Sequence, residues 1–145
     1  MLVQNNSLVL ALNGGNMALY RNLGKALHVE LELLEETRQH VPETADLGRD
    51  RPGRSFESVG ARRSGYEAPD LHSREEEQFI KRSVGRLADL ATANGNPVIV
   101  LAPPDALGIA RKCYSPALRK LIADEIDRDY SGRSATDVAA FLAAY

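Results

Sequence analysis

Between Arg49 and Arg63 the chain carries five arginines, Arg49, Arg51, Arg54, Arg62 and Arg63, against only Asp50 and Glu57. A guanidinium offers a planar set of donors that matches phosphate or carboxylate oxygens two at a time, so a cluster of this density predicts an element that grips anions. Phe56 and Tyr66 lie among these arginines and His72 follows them. Aromatic rings beside arginines are the equipment for stacking on nucleic-acid bases. The competing reading is a solvated loop whose arginines pair with neighbouring acids. It suffices for any one arginine; for the cluster, binding of an anion or of RNA is favoured.

Other chemistry finds less support. His28, His40 and His72 are scattered without ligand spacing, and no Cys/His cluster suggests zinc. The lone Cys113 fits a small buried hydrophobe better than a nucleophile. Gly14-Gly15-Asn16 is too short for a dinucleotide or phosphate-loop fingerprint, and a hairpin turn accounts for it. Asp105, Asp127 and Asp129 remain as carboxylates for metal-dependent cleavage, but helix capping and solvent exposure explain them better. No catalytic residue, metal site or cofactor is therefore assigned.

The elements that must position the cluster follow from periodicity. Ser7–Leu12 is a continuous apolar run ending at Asn13-Gly14-Gly15, which reads as a buried strand and a tight turn favoured by residues that tolerate positive φ. Met17–Arg21 alternates and ends at Asn22-Leu23-Gly24. Leu27, Val29, Leu31 and Leu33 alternate with His28, Glu30 and Glu32, which predicts a strand wet on one side. Residues 36–70 hold seven Gly or Pro in thirty-five positions and read as one long loop. Ser73 and Glu76 form a capping box for a helix whose stripe is Ile80, Val84, Leu87 and Ala91, stopped at Asn94-Gly95. Pro97–Ala102 is apolar on both faces, as a central parallel strand should be. Asp105 is expected to cap a helix through Tyr114, Ser115-Pro116 starts another, residues 122–129 form a short strand, and Ser134 with Asp137 opens a last helix through Ala144.

A three-stranded meander followed by two right-handed crossovers predicts a single α/β domain over 1–145, with helices on both faces of a mixed five-stranded sheet of order 3-2-1-4-5, the ribonuclease-H-like arrangement. Strands 1 and 4 would lie parallel at the switch point, where ligands of such sheets sit. Asn13, Gly14, Pro103, Pro104 and Asp105 would line that crevice.

Length and composition agree with one soluble globular domain: 145 residues, 43% hydrophobic, 26% charged. A net charge of -2 excludes a generally basic nucleic-acid binder while allowing a local basic patch. A single cysteine gives no internal disulfide. Residues 1–12 lack the charged and small-residue features of a signal peptide, and no apolar run approaches the ~20 residues that span a bilayer. The expected address is the cytoplasm, without membrane insertion.

Arg51-Pro-Gly-Arg-Ser-Phe56, Tyr66, Asp70-x-His72 and Glu76-Glu77-x-Phe79 resemble the middle of the bacterial host attachment protein family. Ala102-Pro-Pro-x-x-Leu-Gly108, Ser115-Pro-Ala-Leu118 and Glu125-Ile-Asp-Arg-Asp129 resemble its C-terminal half. The resemblance implies a protein required for attachment to host cells; without a secretion signal, an indirect intracellular role is expected. The family is in turn similar to the middle domain of archaeal and eukaryotic peptide-chain release factors. There the loop between the third strand and the first long helix carries Gly-Gly-Gln into the ribosomal peptidyl-transferase centre. The matching loop here holds no Gly-Gly-Gln. Asn13 stands where the family often has Asp, and Arg128 where it often has Lys. The resemblance thus implies either a non-enzymatic binding protein with an anionic partner or a module that associates with ribosome or tRNA.

Overall fold

The computed structural model describes residues 1–38 and 57–145, with side chains described for 1–38 and 71–145. The elements run β1 (Leu8–Leu12), β2 (Asn16–Asn22), β3 (Leu31–Arg38), α1 (Glu57–Asn94), β4 (Val98–Leu101), α2 (Pro104–Cys113), α3 (Pro116–Leu121), β5 (Ile122–Ile126) and α4 (Ala135–Ala144). The sheet order is β3-β2-β1-β4-β5, as the sequence predicts. β1 is antiparallel to β2 and parallel to β4, β2 is antiparallel to β3, and β4 is parallel to β5.

β1 and β4 are buried at every position because both sheet faces are covered. On one face Leu8, Leu10, Leu12, Met17 and Leu19 meet Phe79, Ile80, Val84, Leu87 and Ala91 of α1, together with Leu107 and Ala110 of α2 and Leu118 of α3. On the other, Val9, Ala11, Ala18 and Tyr20 meet Val138 and Leu142 of α4. Fully burying a Leu or Ile contributes about 1.5–3 kcal/mol, so these two alternating sets fix the strands' faces.

Several local expectations change. Both ends of the predicted 36–70 loop are regular structure: β3 runs through Arg38 and α1 begins at Glu57. Ser73 is therefore interior to a helix and caps nothing. The capping box predicts a start at Ser73, but the helix extends back to Glu57, and residues 71–78 are helical yet exposed, except for half-buried His72. The helix end is as predicted: Gly95 takes φ 68° and Asn96 N–H donates to the Ala91 carbonyl at 3.0 Å, closing a Schellman turn.

The third strand lies later than predicted. Lys25 and His28 form an isolated bridge, so Leu27 and His28 belong to a turn in which Leu27 is 77% exposed. Within β3, Leu19 pairs with Glu35 and Tyr20 with Leu33, so Leu34 is extra. This bulge reverses the parity of the strand: Leu33, opposite Tyr20, takes the α4 side, whereas Glu35, two residues on and opposite Leu19, takes the α1 side. β5 ends at Ile126 rather than 129.

The turn at Asn13 needs no positive φ. Among the described residues only Asn6 and Gly95 have it. The Asn13 side chain makes the turn instead, its Oδ1 accepting from the N–H groups of Gly15 (2.8 Å) and Asn16 (2.7 Å). Asn22, fully buried, plays the same part more completely. Its Oδ1 accepts from Gly24 and Glu30 N–H at 2.9 Å each, and its Nδ2 donates to the Val3 carbonyl at 2.9 Å. Gly24 fits because a side chain there would collide with the His28 carbonyl.

Candidate functional site

Parallel pairing of β1 with β4 and of β4 with β5 brings three carboxyl ends to one edge of the sheet. Asn13 and Gly14 leave β1 there, and Pro103, Pro104 and Asp105 enter α2 there, so the predicted crevice residues share one end of the molecule. α2 is capped by Pro103 without a side-chain hydrogen bond. Asp105 is exposed in the first turn, where its charge suits the helix dipole, and it is not the cap the sequence suggested.

Two further side chains complete this edge. Asp129, beyond β5, accepts from Asn13 Nδ2 at 3.2 Å, so one hydrogen bond reaches from the end of β1 to the segment after β5. Its other oxygen accepts from Ser131 N–H (3.1 Å) and Oγ (2.6 Å). Partial burial works against the Asp129 charge, but the bonds from Ser131 and Asn13 outweigh it and hold the carboxyl below its usual range. Glu76 of α1 lies against Gly14: a Cβ on Gly14 would stand 2.8 Å from Glu76 Oε2. The sequence assigns neither Asp129 nor Glu76 to the crevice. Their positions depend on how α1 and the last crossover pack, which spacing does not encode. Among the described residues no group of three or more His, Cys, Asp or Glu is arranged to hold a metal ion.

Of the predicted anion-binding residues, Arg49, Arg51, Arg54 and Phe56 lie outside the described residues. Arg62, Arg63 and Tyr66 fall within α1 rather than in a loop, in the part whose side chains are not described. His72 is also on α1, half-buried.

A second charged cluster had no signal in the sequence reading. Glu125 on β5 accepts from Arg111 Nε at 3.0 Å through one oxygen and from the Tyr114 hydroxyl at 2.7 Å through the other. Arg119 Nη2 donates to the Arg111 carbonyl at 2.9 Å, and its guanidinium lies 5.7 Å from the centre of the Tyr114 ring. Burial, then the Glu125 hydrogen bond and charge, push the Tyr114 hydroxyl well above the usual tyrosine range against the opposing pull of Arg111 and Arg119. The register of β5 makes this possible. Val98 pairs with Ile122 but Ile99 pairs with Asp124, so Ala123 is extra and Glu125, not Asp124, faces α2 and α3.

Fold and crevice together define an α/β protein whose mixed sheet ends in a polar edge tied by side-chain hydrogen bonds. The chain belongs to the family described as protein required for attachment to host cells, whose model matches residues 8–142. No curated protein matches it significantly. No described helix is long and apolar enough to cross a membrane.

Proposed function

We propose that this host attachment family protein is a non-enzymatic binding protein of the cytoplasm, with an indirect role in attachment, and that its arginine-bearing segment engages an anionic partner. One observation carries the reading: β3 ends, and α1 passes, at the same turn. Arg38, the last residue of β3, pairs with Asn16, and Glu76 of α1 lies against Gly14. Arg49, Arg51 and Arg54 lie in the chain between Arg38, at that end of the sheet, and Glu57, the first residue of α1, which is nineteen residues and about 28 Å along the helix from Glu76. Guanidinium groups on a partner-binding segment beyond that end would add donors to an edge whose own carboxylate, Asp129, already accepts from Ser131 and Asn13. In an attachment assay, Arg51→Gln/Arg54→Gln is expected to fail to restore attachment to a strain lacking the protein, although the folded variant accumulates normally. Full restoration would refute the role of the segment.

The second reading is a ribosome- or tRNA-associated module with a ribonuclease-H-like fold, similar to the release-factor middle domain but without Gly-Gly-Gln. It is favoured by the sheet order and by the position of the arginine-bearing segment, between β3 and the long helix α1. Ribosome co-sedimentation tests it. Binding at low salt that falls steeply as salt rises, and that is lost in Arg51→Gln/Arg54→Gln, is expected. No pelleting at low salt would end this reading.

A further inference from the structure

We infer that α2 and α3 present a second, preformed phosphate-binding surface, made by Arg111, Lys112, Arg119 and Lys120, which contacts the backbone of an RNA. The four cations occupy the last turns of two successive helices and all are exposed. Two of them are already held in place. Arg111 is anchored through Nε to Glu125, which leaves both of its Nη atoms without a partner among the described residues, on a side chain 54% exposed. Arg119 is fixed by the Arg111 carbonyl and the Tyr114 ring. Held guanidiniums lose less rotamer freedom when they bind than free ones do. Glu125, the one acid bonded to the cluster among the described residues, is spent, since each of its oxygens accepts from Arg111 or Tyr114. Asp105 sits at the opposite end of α2, and the register of β5 turns Asp124 to the other sheet face.

The surface also lacks what a protein partner would need. Among the described residues the exposed large hydrophobics are Leu2, Leu23, Leu27, Leu33, Leu71 and Tyr145, and none is on α2 or α3. Protein interfaces are centred on apolar and aromatic anchors, whereas a phosphate-contacting surface is polar and strongly positive. An amphipathic element docking on a membrane would likewise bring apolar side chains. Cations without apolar anchors match a phosphate backbone. The choice of RNA over DNA rests on the ribosome or tRNA reading above; the surface itself does not depend on the arginine-bearing segment.

The test is fluorescence anisotropy of the full chain with a labelled RNA stem-loop across a salt series. A DNA stem-loop of the same sequence and vesicles of anionic phosphatidylglycerol serve as alternatives. Lys112→Gln/Lys120→Gln changes only exposed side chains and should fold as the parent does. It is expected to weaken RNA binding about tenfold and to flatten the slope of log affinity against log salt by about 1.4–1.8, for two lost phosphate contacts. Unchanged affinity in that variant, no RNA binding by the parent at low salt, tighter binding to DNA, or binding to vesicles but not RNA would each overturn the inference. Arg51→Gln/Arg54→Gln separates the two proposals. If it alone weakens binding, the α2–α3 surface falls and the segment reading stands; if only the lysine variant does, the reverse holds.

Discussion

The crevice edge and the α2–α3 surface are both rich in polar side chains, yet they use them oppositely. At the crevice, Asn13, Asp129 and Ser131 bond to one another and to the backbone, so their donors and acceptors are consumed in holding β1 to the segment after β5. On α2 and α3, Tyr114 and Glu125 absorb only part of Arg111 and Arg119, and the remaining donors face solvent. A polar group stabilises a fold to the extent that it is satisfied inside it; it serves a partner to the extent that it is not. The crevice, where the fold class would place a ligand, is the more self-contained of the two.

The contrast can be broken most severely from beneath. Leu118 is fully buried under α3, and Leu118→Ala should cost about 2–5 kcal/mol in a denaturant titration and unseat the basic surface with it. A smaller loss would mean that α3 is carried by its neighbours. Asn13→Ala removes the acceptor of two backbone N–H groups and the bond to Asp129, and about 1–3 kcal/mol of stability should go, with RNA affinity unchanged. A drop in affinity at full stability would move the binding site to the crevice. Glu125→Gln keeps the shape but removes the charge. Tyr114 should then ionise at lower pH in a spectrophotometric titration, because one cause of its raised pKa is gone, while Arg111 loses its ion pair. An unaltered titration would show that burial alone sets that pKa.

The smallest effect concerns pH. Asp129 is held below its usual range in the folded state, so its contribution is present above the unfolded value of about 3.9 and fades as pH falls through the lower folded value. The loss of stability on acidification should therefore be slightly shallower in Asp129→Asn than in the parent. Equal acid sensitivity would show that the carboxylate gains nothing from Ser131 and Asn13.

What the sequence determined was carried by periodicity and by local signals. Continuous apolar runs made Ser7–Leu12 and Pro97–Ala102 central strands, and the stripe from Ile80 to Ala91 made the core-facing part of α1. Ser115 and Ser134 were legible as caps, and each accepts from the N–H three residues on. The order 3-2-1-4-5 followed from the handedness of two crossovers. Periodicity could not find the exposed turns of α1, because a helix that buries nothing shows no stripe; residues 71–78 are of that kind. Only the tertiary structure decided the two strand irregularities, at Leu34 and Ala123. Each is one unpaired residue, and because side chains alternate with period two, each reverses every assignment beyond it. That is why Glu35 meets Arg86 of α1 at 2.9 Å and Glu125 meets Tyr114 and Arg111. Which face a carboxylate takes depends on the pairing register, and register is a property of two strands together, beyond the reach of either one read alone.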